Sequence, residues 1–262
     1  MFQVKIVICL KQVPSRDAIL KVNAASTWIE ETDISYEVNE PDVYALEEGL
    51  RLKEQQGGEV VVCTLGPGRA SQAIKEALAK GADRALHLDD AAFANLDAHG
   101  TARALAAALR KENPDLVLTG LQSDDFGFAQ TGVILAEMLG MPHSTIIMEI
   151  QAEGNHLKVK RELEGGWFQW IEMPLPAVLT IQSGINKPRY ATLKGIMAAK
   201  NKPLQKLTAQ DLGLDAGALK PLQTVSRVYV PEKKGQAEFI EGSPKEIAAR
   251  LVDKLKNEAR IF

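Results

Sequence analysis

Short, nearly continuous apolar runs alternate with helix-length segments through the first half of the sequence. The runs are VKIVICL (4–10), EVVVCTL (59–65), RALHLD (84–89) and DLVLTG (115–120). Few residues interrupt them with charge, which is the pattern of strands covered on both faces and not of strands with one face in water. Between them lie DVYALEEGLRLKEQ (42–55), GRASQAIKEALAKG (68–81) and TARALAAALRKEN (101–113). Val43, Leu46 and Leu50 recur at helical spacing in the first of these, and Ala70, Ile74 and Ala77 in the second. Strand, helix and strand in this order make βαβ units, which require a parallel sheet with helices on both faces and right-handed crossovers. The sequence therefore predicts a doubly wound α/β domain over residues 1–185, with residues 186–262 as an extended C-terminal arm.

Beyond Pro142 the texture changes. TIIMEIQAEGNHLKVKREL reads as a β-hairpin extension turning at Gly154-Asn155, and WFQWIEM and AVLTIQS as further strands. Trp167 and Trp170 are expected in one strand, with both in the core as the first expectation and one at an interface as the second. Residues 186–222 mix helix signals with several Pro and Gly and are expected to be irregular. The chain then closes on SPKEIAARLVDKLKNE, in which Ser243 is the N-cap, Pro244 the first helical residue and Glu246 the far half of a capping box. Its stripe of Ile247, Leu251 and Leu255 needs something to cover it, either this domain or a partner chain.

Composition excludes several classes. A net charge of −3 lacks the basic face that phosphate neutralisation requires, so no nucleic-acid partner is expected. No apolar run reaches the roughly 20 residues that span a bilayer, and IVICL near the start is too short for a signal-peptide core. Two cysteines are too few for a disulfide framework and fit a reducing cytoplasmic setting. Four His without HxxxH spacing, and no CxxC, leave no metal motif.

In such a sheet, ligands bind beyond the carboxyl ends of the strands, where strand order reverses. Three segments converge on that place: CLKQVP, TLGPGRA and GLQSDDFGFAQTG. The last two run into helix starts whose free N–H groups attract phosphate, and Gly66, Gly68, Gly127 and Gly132 permit close backbone approach. Glycine is also ordinary in βα loops, and neither GxGxxG nor a P-loop is present, so spacing leaves a nucleotide site open. Catalytic chemistry finds less support. Asp124 and Asp125 are adjacent, so in an extended loop they point apart, and capping of the following helix is the usual role of such a pair. Cys9 and Cys63 sit among apolar strand residues and read as packing. His99 and His143 have no evident nucleophile partner. No self-contained active site is visible.

The stretch VKRELEGGWFQWIEMPLPAVLT (159–180) resembles the hallmark pattern of electron transfer flavoprotein β subunits, with Lys160, Arg161, Glu164, Gly165, Gly166, Gln169 and Pro176 in register. The resemblance extends through KIVICLKQVP, LEEGLRLKE, IKEALAKGADRALHL, PDLVLTG and NKPRYATLKGIMAAKNKPL, covering all but about the last forty residues. It implies an adenine nucleotide hydrolase-like α/β fold and a non-enzymatic subunit. That subunit holds AMP and pairs with an FAD-bearing α subunit. Electrons would pass from acyl-CoA dehydrogenases to a membrane quinone reductase. Carried over by position, the nucleotide site comprises Cys9, Asn39, Leu65, Gly66, Asp125, Ala129, Gln130, Thr131 and Gly132. The loop DDFGFAQTG departs from the common AMP-binding form D-D-D-C-N-Q-T-G at Phe126, Phe128 and Ala129. Its Ala matches the T-A-Q-V-G of electron-bifurcating members, which bind a second FAD and oxidise NADH, whereas Thr131 does not. AMP is the first expectation and FAD the alternative. RYATLKGIMAAK resembles the segment by which family members dock dehydrogenases, with Leu193 as its anchor and Tyr190, Ile196 and Met197 beside it. Lys194, Lys200 and Lys202 would steer an acidic partner. Where relatives place an aromatic residue near the α-subunit flavin, this chain has Pro14 and Pro41. A stand-alone adenine-nucleotide-binding protein is the remaining alternative.

Overall fold

The computed structural model describes residues 4–232 and 237–261. It divides into two compact units, one formed by the chain up to Lys21 with Glu30–Ser226, the other by Val22–Ile29 with the segment from Arg227 onward.

The larger unit begins with β1 (Val4–Cys9), followed by the short antiparallel pair β2 (Gln12–Pro14) and β3 (Tyr36–Val38). Helix α1 (Glu40–Gln56) starts with Pro41 and two acidic residues in its first turn and stops at Gly57, whose φ of +79° suits glycine. There follow β4 (Gly58–Leu65), α2 (Ser71–Lys80), β5 (Arg84–Leu88), α3 (Ala98–Glu112), β6 (Leu116–Gly120) and α4 (Thr131–Leu139). Helix α3 is capped at its start by Asp97, which accepts the Gly100 N–H at 2.7 Å, and ends at Asn113 in the left-handed conformation. The hairpin and its extension follow as β7 (His143–Glu153), β8 (His156–Glu162), β9 (Phe168–Pro174) and β10 (Ala177–Ile181). Helix α5 (Leu193–Ala199) and β11 (Leu204–Leu207) complete this unit's regular structure among the described residues.

Nine strands form one sheet in the order β11-β5-β4-β1-β6-β10-β7-β8-β9. It is parallel from β11 to β7, with β8 and β9 added antiparallel. The doubly wound expectation is met. Alternation along β1 shows why both faces are covered. Ile6 and Ile8 pack with Leu46, Leu50 and Ile74 of α1 and α2, while Val7 and Cys9 pack with Leu105, Leu109 and Leu135 of α3 and α4. Each such side chain, fully buried, contributes about 1.5–3 kcal/mol.

Two expectations are corrected here. Residues 186–222 are not wholly irregular: LQKL at 204–207 pairs in parallel with β5 and forms the sheet's edge. Four residues with one polar and one charged member carry too little pattern to read as a strand alone; the neighbouring strand supplies the order. Trp167 and Trp170 do not share a strand, because Trp167 lies before β9, and neither is core. Trp167 is 74% exposed and Trp170 is exposed as well. Strand β9 is the far edge of the sheet, with no strand paired on its outer side.

In the smaller unit, Val22 and Ile29 form a bridge, the Val228 N–H donates to the Ser26 carbonyl, and α6 (Pro244–Asp253) is the principal element. The Glu246 carboxylate accepts both the Ser243 backbone N–H (2.9 Å) and its hydroxyl (2.7 Å), the expected half of a capping box. No residue of α6 is buried.

Candidate functional site

The chain leaves β1 through α1 to β4 and α2 to β5 on one side, then returns through α3 to β6 on the other. Strand order thus reverses between β1 and β6, the switch point beyond whose carboxyl ends sheets of this kind form their ligand crevice.

Three residues knit the walls of that crevice. Asp42, in the first turn of α1, is buried; its Oδ2 accepts the Lys11 backbone N–H at 2.7 Å and its Oδ1 the Gly120 N–H at 2.9 Å. Burial pushes its carboxyl up to about 7, with those two N–H donors and the Lys11 charge pulling the other way. Asn39 is also buried. Its amide donates to the Gln122 carbonyl at 2.9 Å, and its carbonyl accepts the Asp124 N–H at 2.9 Å. Lys11 reaches across with its ammonium to Asp125 (2.6 Å) and the Ser123 hydroxyl (3.3 Å), and sits 4.7 Å from the Phe126 ring centre. The strand-end loop 121–130 is therefore fastened to β1 and to the start of α1.

The loop then delivers α4. Ala129 adopts φ +54°, Gln130 precedes the helix, and no side chain caps its first turn. Gly132 lets that turn sit against the sheet: a Cβ there would come 2.6 Å from Thr180 Cγ2 and 2.7 Å from Thr119 Oγ1. The first-turn N–H groups are left without a side-chain partner, and a helix of nine residues places a partial positive charge there. Asp124 and Asp125 do not cap α4 as expected. Asp125 pairs with Lys11, and Asp124 accepts the Glu40 N–H at 3.3 Å at the start of α1, with the Arg16 guanidinium 3.9 Å away. The loop turns back over α1 before α4 begins, which adjacency in sequence does not reveal.

Of the expected site residues, Asn39, Asp125, Ala129, Gln130, Thr131 and Gly132 border this crevice or the loop that walls it. Cys9 ends β1 with its thiol in the α3–α4 core, where burial first, then Cys63 and Asp42, push its pKa well above the ordinary value. Cys63, its cross-strand partner, is pushed up to about 12 by burial. Both thiols are packing groups. Leu65 ends β4 and Gly66 follows it, tied to β5 where the Gly66 N–H donates to the Leu88 carbonyl at 3.1 Å. The buried His87 ring nitrogen Nε2 lies 2.9 Å from the Gly66 carbonyl. Asp42, Lys11 and Gly120 are absent from the expected set. The signal was present in the acidic residue of N-E-P-D at a helix start and in the glycine closing D-L-V-L-T-G, but pairing them needs the fold.

The segment Tyr190–Met197 stands elsewhere on this unit. Tyr190 is 92% and Leu193 82% exposed, and Ile196 and Met197 are exposed too. Thr192 caps α5 by accepting the Gly195 N–H at 3.0 Å. Lys194 and Lys200 are exposed, but Lys202 is not available for steering. Its ammonium donates to the Leu78 carbonyl (2.9 Å) in the last turn of α2 and to the Ala82 carbonyl just beyond that helix.

Among the described residues no cluster could hold a metal ion, and no helix is long and apolar enough to cross a membrane. Comparison with known proteins matches residues 26–212 to the electron transfer flavoprotein domain. The chain is 40% identical to the electron transfer flavoprotein subunit beta of Methylophilus methylotrophus, covering 95% of this chain and 96% of that protein. It is 38% identical to the subunit beta of Clostridium acetobutylicum, over 97% and 98%. It is also 38% identical to the caffeyl-CoA reductase-Etf complex subunit CarD of Acetobacterium woodii, over 97% and 98%.

Proposed function

The chain belongs to the electron transfer flavoprotein family, among its β subunits, and on that premise we propose that it holds one AMP at the β1–β6 crevice. Membership brings flavin or nucleotide cofactors and an α-subunit partner. The finer reading is an electron-carrier subunit, not an enzyme in itself, whose α partner bears the FAD. FAD supplies the electron-accepting and electron-donating chemistry; this chain's residues bind and orient.

The observation that carries the AMP reading is the first turn of α4, which opens at the switch point without a side-chain cap. A phosphate group would accept from its N–H groups. Lys11 neutralises Asp125 and Arg16 lies beside Asp124 and Glu40, so the acidic rim would not repel that phosphate. Asn39 holds the loop in place through both ends of its amide. Bound there, AMP would stabilise the folded state by mass action without reacting. The exposed apolar set Tyr190, Leu193, Ile196 and Met197 would dock acyl-CoA dehydrogenases as donors, with a membrane quinone reductase as acceptor and the cytoplasm as setting.

A second reading is a second FAD in the same crevice, with NADH oxidised by the complex. Ala129 favours it, as does similarity to a subunit of a caffeyl-CoA reductase-Etf complex. Acid release and quantification of nucleotides from the co-expressed heterodimer separates the two. One FAD and one AMP per heterodimer is the expected result; two FAD and no AMP would replace the first reading with the second.

A further inference from the structure

Residues 186–189 run without regular structure along one stripe of α1. The Asn186 amide donates to the Tyr44 carbonyl (3.0 Å) and to Glu48 Oε2 (2.9 Å). Arg51 Nη2 donates to the Lys187 carbonyl at 3.5 Å. Arg189 then makes the densest attachment. Its backbone N–H donates to Glu47 Oε2 at 3.1 Å, its Nε and Nη2 to the two Glu47 oxygens at 2.8 and 3.1 Å, and its Nη1 and Nη2 to Glu54. Positions 44, 47, 48, 51 and 54 are the i, i+3, i+4, i+7 and i+10 of one helix face, so α1 offers a polar rail to this segment. Glu47 is buried and also receives Arg51 Nε at 2.9 Å. Burial pushes Glu47 up, and the two guanidinium groups outweigh that and hold it below the ordinary carboxylate range.

Directly after this clamp come the strongly exposed Tyr190 and Leu193. The stretch is anchored again at its far end. A Cβ on Gly195 would lie 2.2 Å from the Ala79 carbonyl oxygen, so α5 rests backbone to backbone on the end of α2, and Lys202 ties down the chain beyond α5. Between two tight anchors, apolar side chains that water disfavours are held outward and apart from the core. A short loop with no such anchors would fold its Tyr and Leu against the surface. We propose that Arg189 is the positioning residue of the docking segment: its fork onto Glu47 and Glu54 presents Tyr190 and Leu193 already placed for the electron-donating partner. The inference rests on the docking role given to Leu193 above. Pre-organisation of this kind lowers the ordering cost of association, so it acts on partner affinity and not on the flavin.

The test uses the α–β heterodimer carrying Arg189→Gln. In hydrogen exchange, the α5 amides, including that of Ile196 bonded to the Thr192 carbonyl at 2.9 Å, should exchange about tenfold faster, with β1 and β6 unchanged. With a purified acyl-CoA dehydrogenase as reductant, KM for the heterodimer should rise about tenfold while kcat stays within about twofold and FAD content is unaltered. Leu193→Ala should cost less in the Arg189→Gln background than in the wild type, because a misplaced anchor has less to lose. Glu54→Gln, which removes the exposed half of the clamp and spares Glu47, should move exchange and KM the same way by a smaller factor, and serves if Arg189→Gln does not fold. Unchanged α5 exchange in both variants overturns the inference. So does a KM effect strictly additive with Leu193→Ala, which would indicate general destabilisation. If Leu193→Ala itself leaves KM unchanged while exchange responds to Arg189→Gln, the docking reading fails and the functional half of this inference falls with it.

Discussion

Asp42 Oδ1 accepts the backbone N–H of Gly120 at 2.9 Å, and a Cβ at position 120 would come 2.2 Å from that oxygen. A side chain at the start of α1 thus closes the end of β6, while its other oxygen closes the end of β1. The two strand ends can be closed in this way because residue 120 has no side chain.

Gly120→Ala should therefore be costly. The new methyl also meets Pro41 Cβ at 2.8 Å and the Asp42 nitrogen at 2.9 Å, none of which can rotate away. We expect a loss of about 3 kcal/mol, the upper range for overpacking a tight site, and reduced AMP retention. Denaturant unfolding checks the first and nucleotide quantification the second; a variant of wild-type stability would show that the contact relaxes cheaply.

Asp42 also makes stability depend on pH. Its carboxyl titrates at about 7 in the folded chain and at about 3.9 unfolded. Between those values the folded state binds the extra proton, so this residue's contribution is fully present below about pH 4 and is lost as pH rises through about 7. The span corresponds to on the order of 4 kcal/mol at most. Asp42→Asn, which cannot titrate, should lower stability overall and remove this slope. Thermal unfolding of wild type and variant across pH 4–8 would show it, and parallel curves would rule it out.

Lys11→Gln isolates the loop from the fold. The Lys11–Asp125 pair at 2.6 Å is partly exposed, so its loss should cost less than about 1 kcal/mol of stability. It would, however, leave Asp125 uncompensated beside the proposed phosphate position. AMP content after extended dialysis should fall several-fold with little change in Tm. Full retention would argue that the nucleotide does not sense this carboxylate.

Trp167→Ala should change the stability of this chain by under about 0.5 kcal/mol, because the ring is already in solvent. A loss of several kcal/mol would mean the ring is buried in solution.

Much was legible in residue order. The apolar runs announced the central strands, the 3.6-residue spacing announced α1 and α2, and Ser243 with Glu246 announced the start of α6, because each signal lies within a few residues of its effect. The loop segments around the crevice were legible for the same reason, since every βα loop in a parallel sheet emerges at one end. The pairings were not. Asn39 to Gln122, Asp42 to Gly120 and Arg189 to Glu47 span 83, 78 and 142 residues. Nothing local distinguishes Asp42 from any acidic residue that favours a helix N-terminus.

Local physics therefore settled the central strands and the helices between them, and family resemblance settled what kind of subunit they build. Long-range packing alone settled the rest. It turned LQKL into an edge strand, left Trp167 and Trp170 in solvent at the far edge of the sheet, committed Lys202 to the end of α2, and drew Lys11, Asn39 and Asp42 into one crevice. Those outcomes depend on which backbone N–H groups and carboxylates meet after the sheet has closed, and strand order is a property of the folded chain, not of any stretch within it.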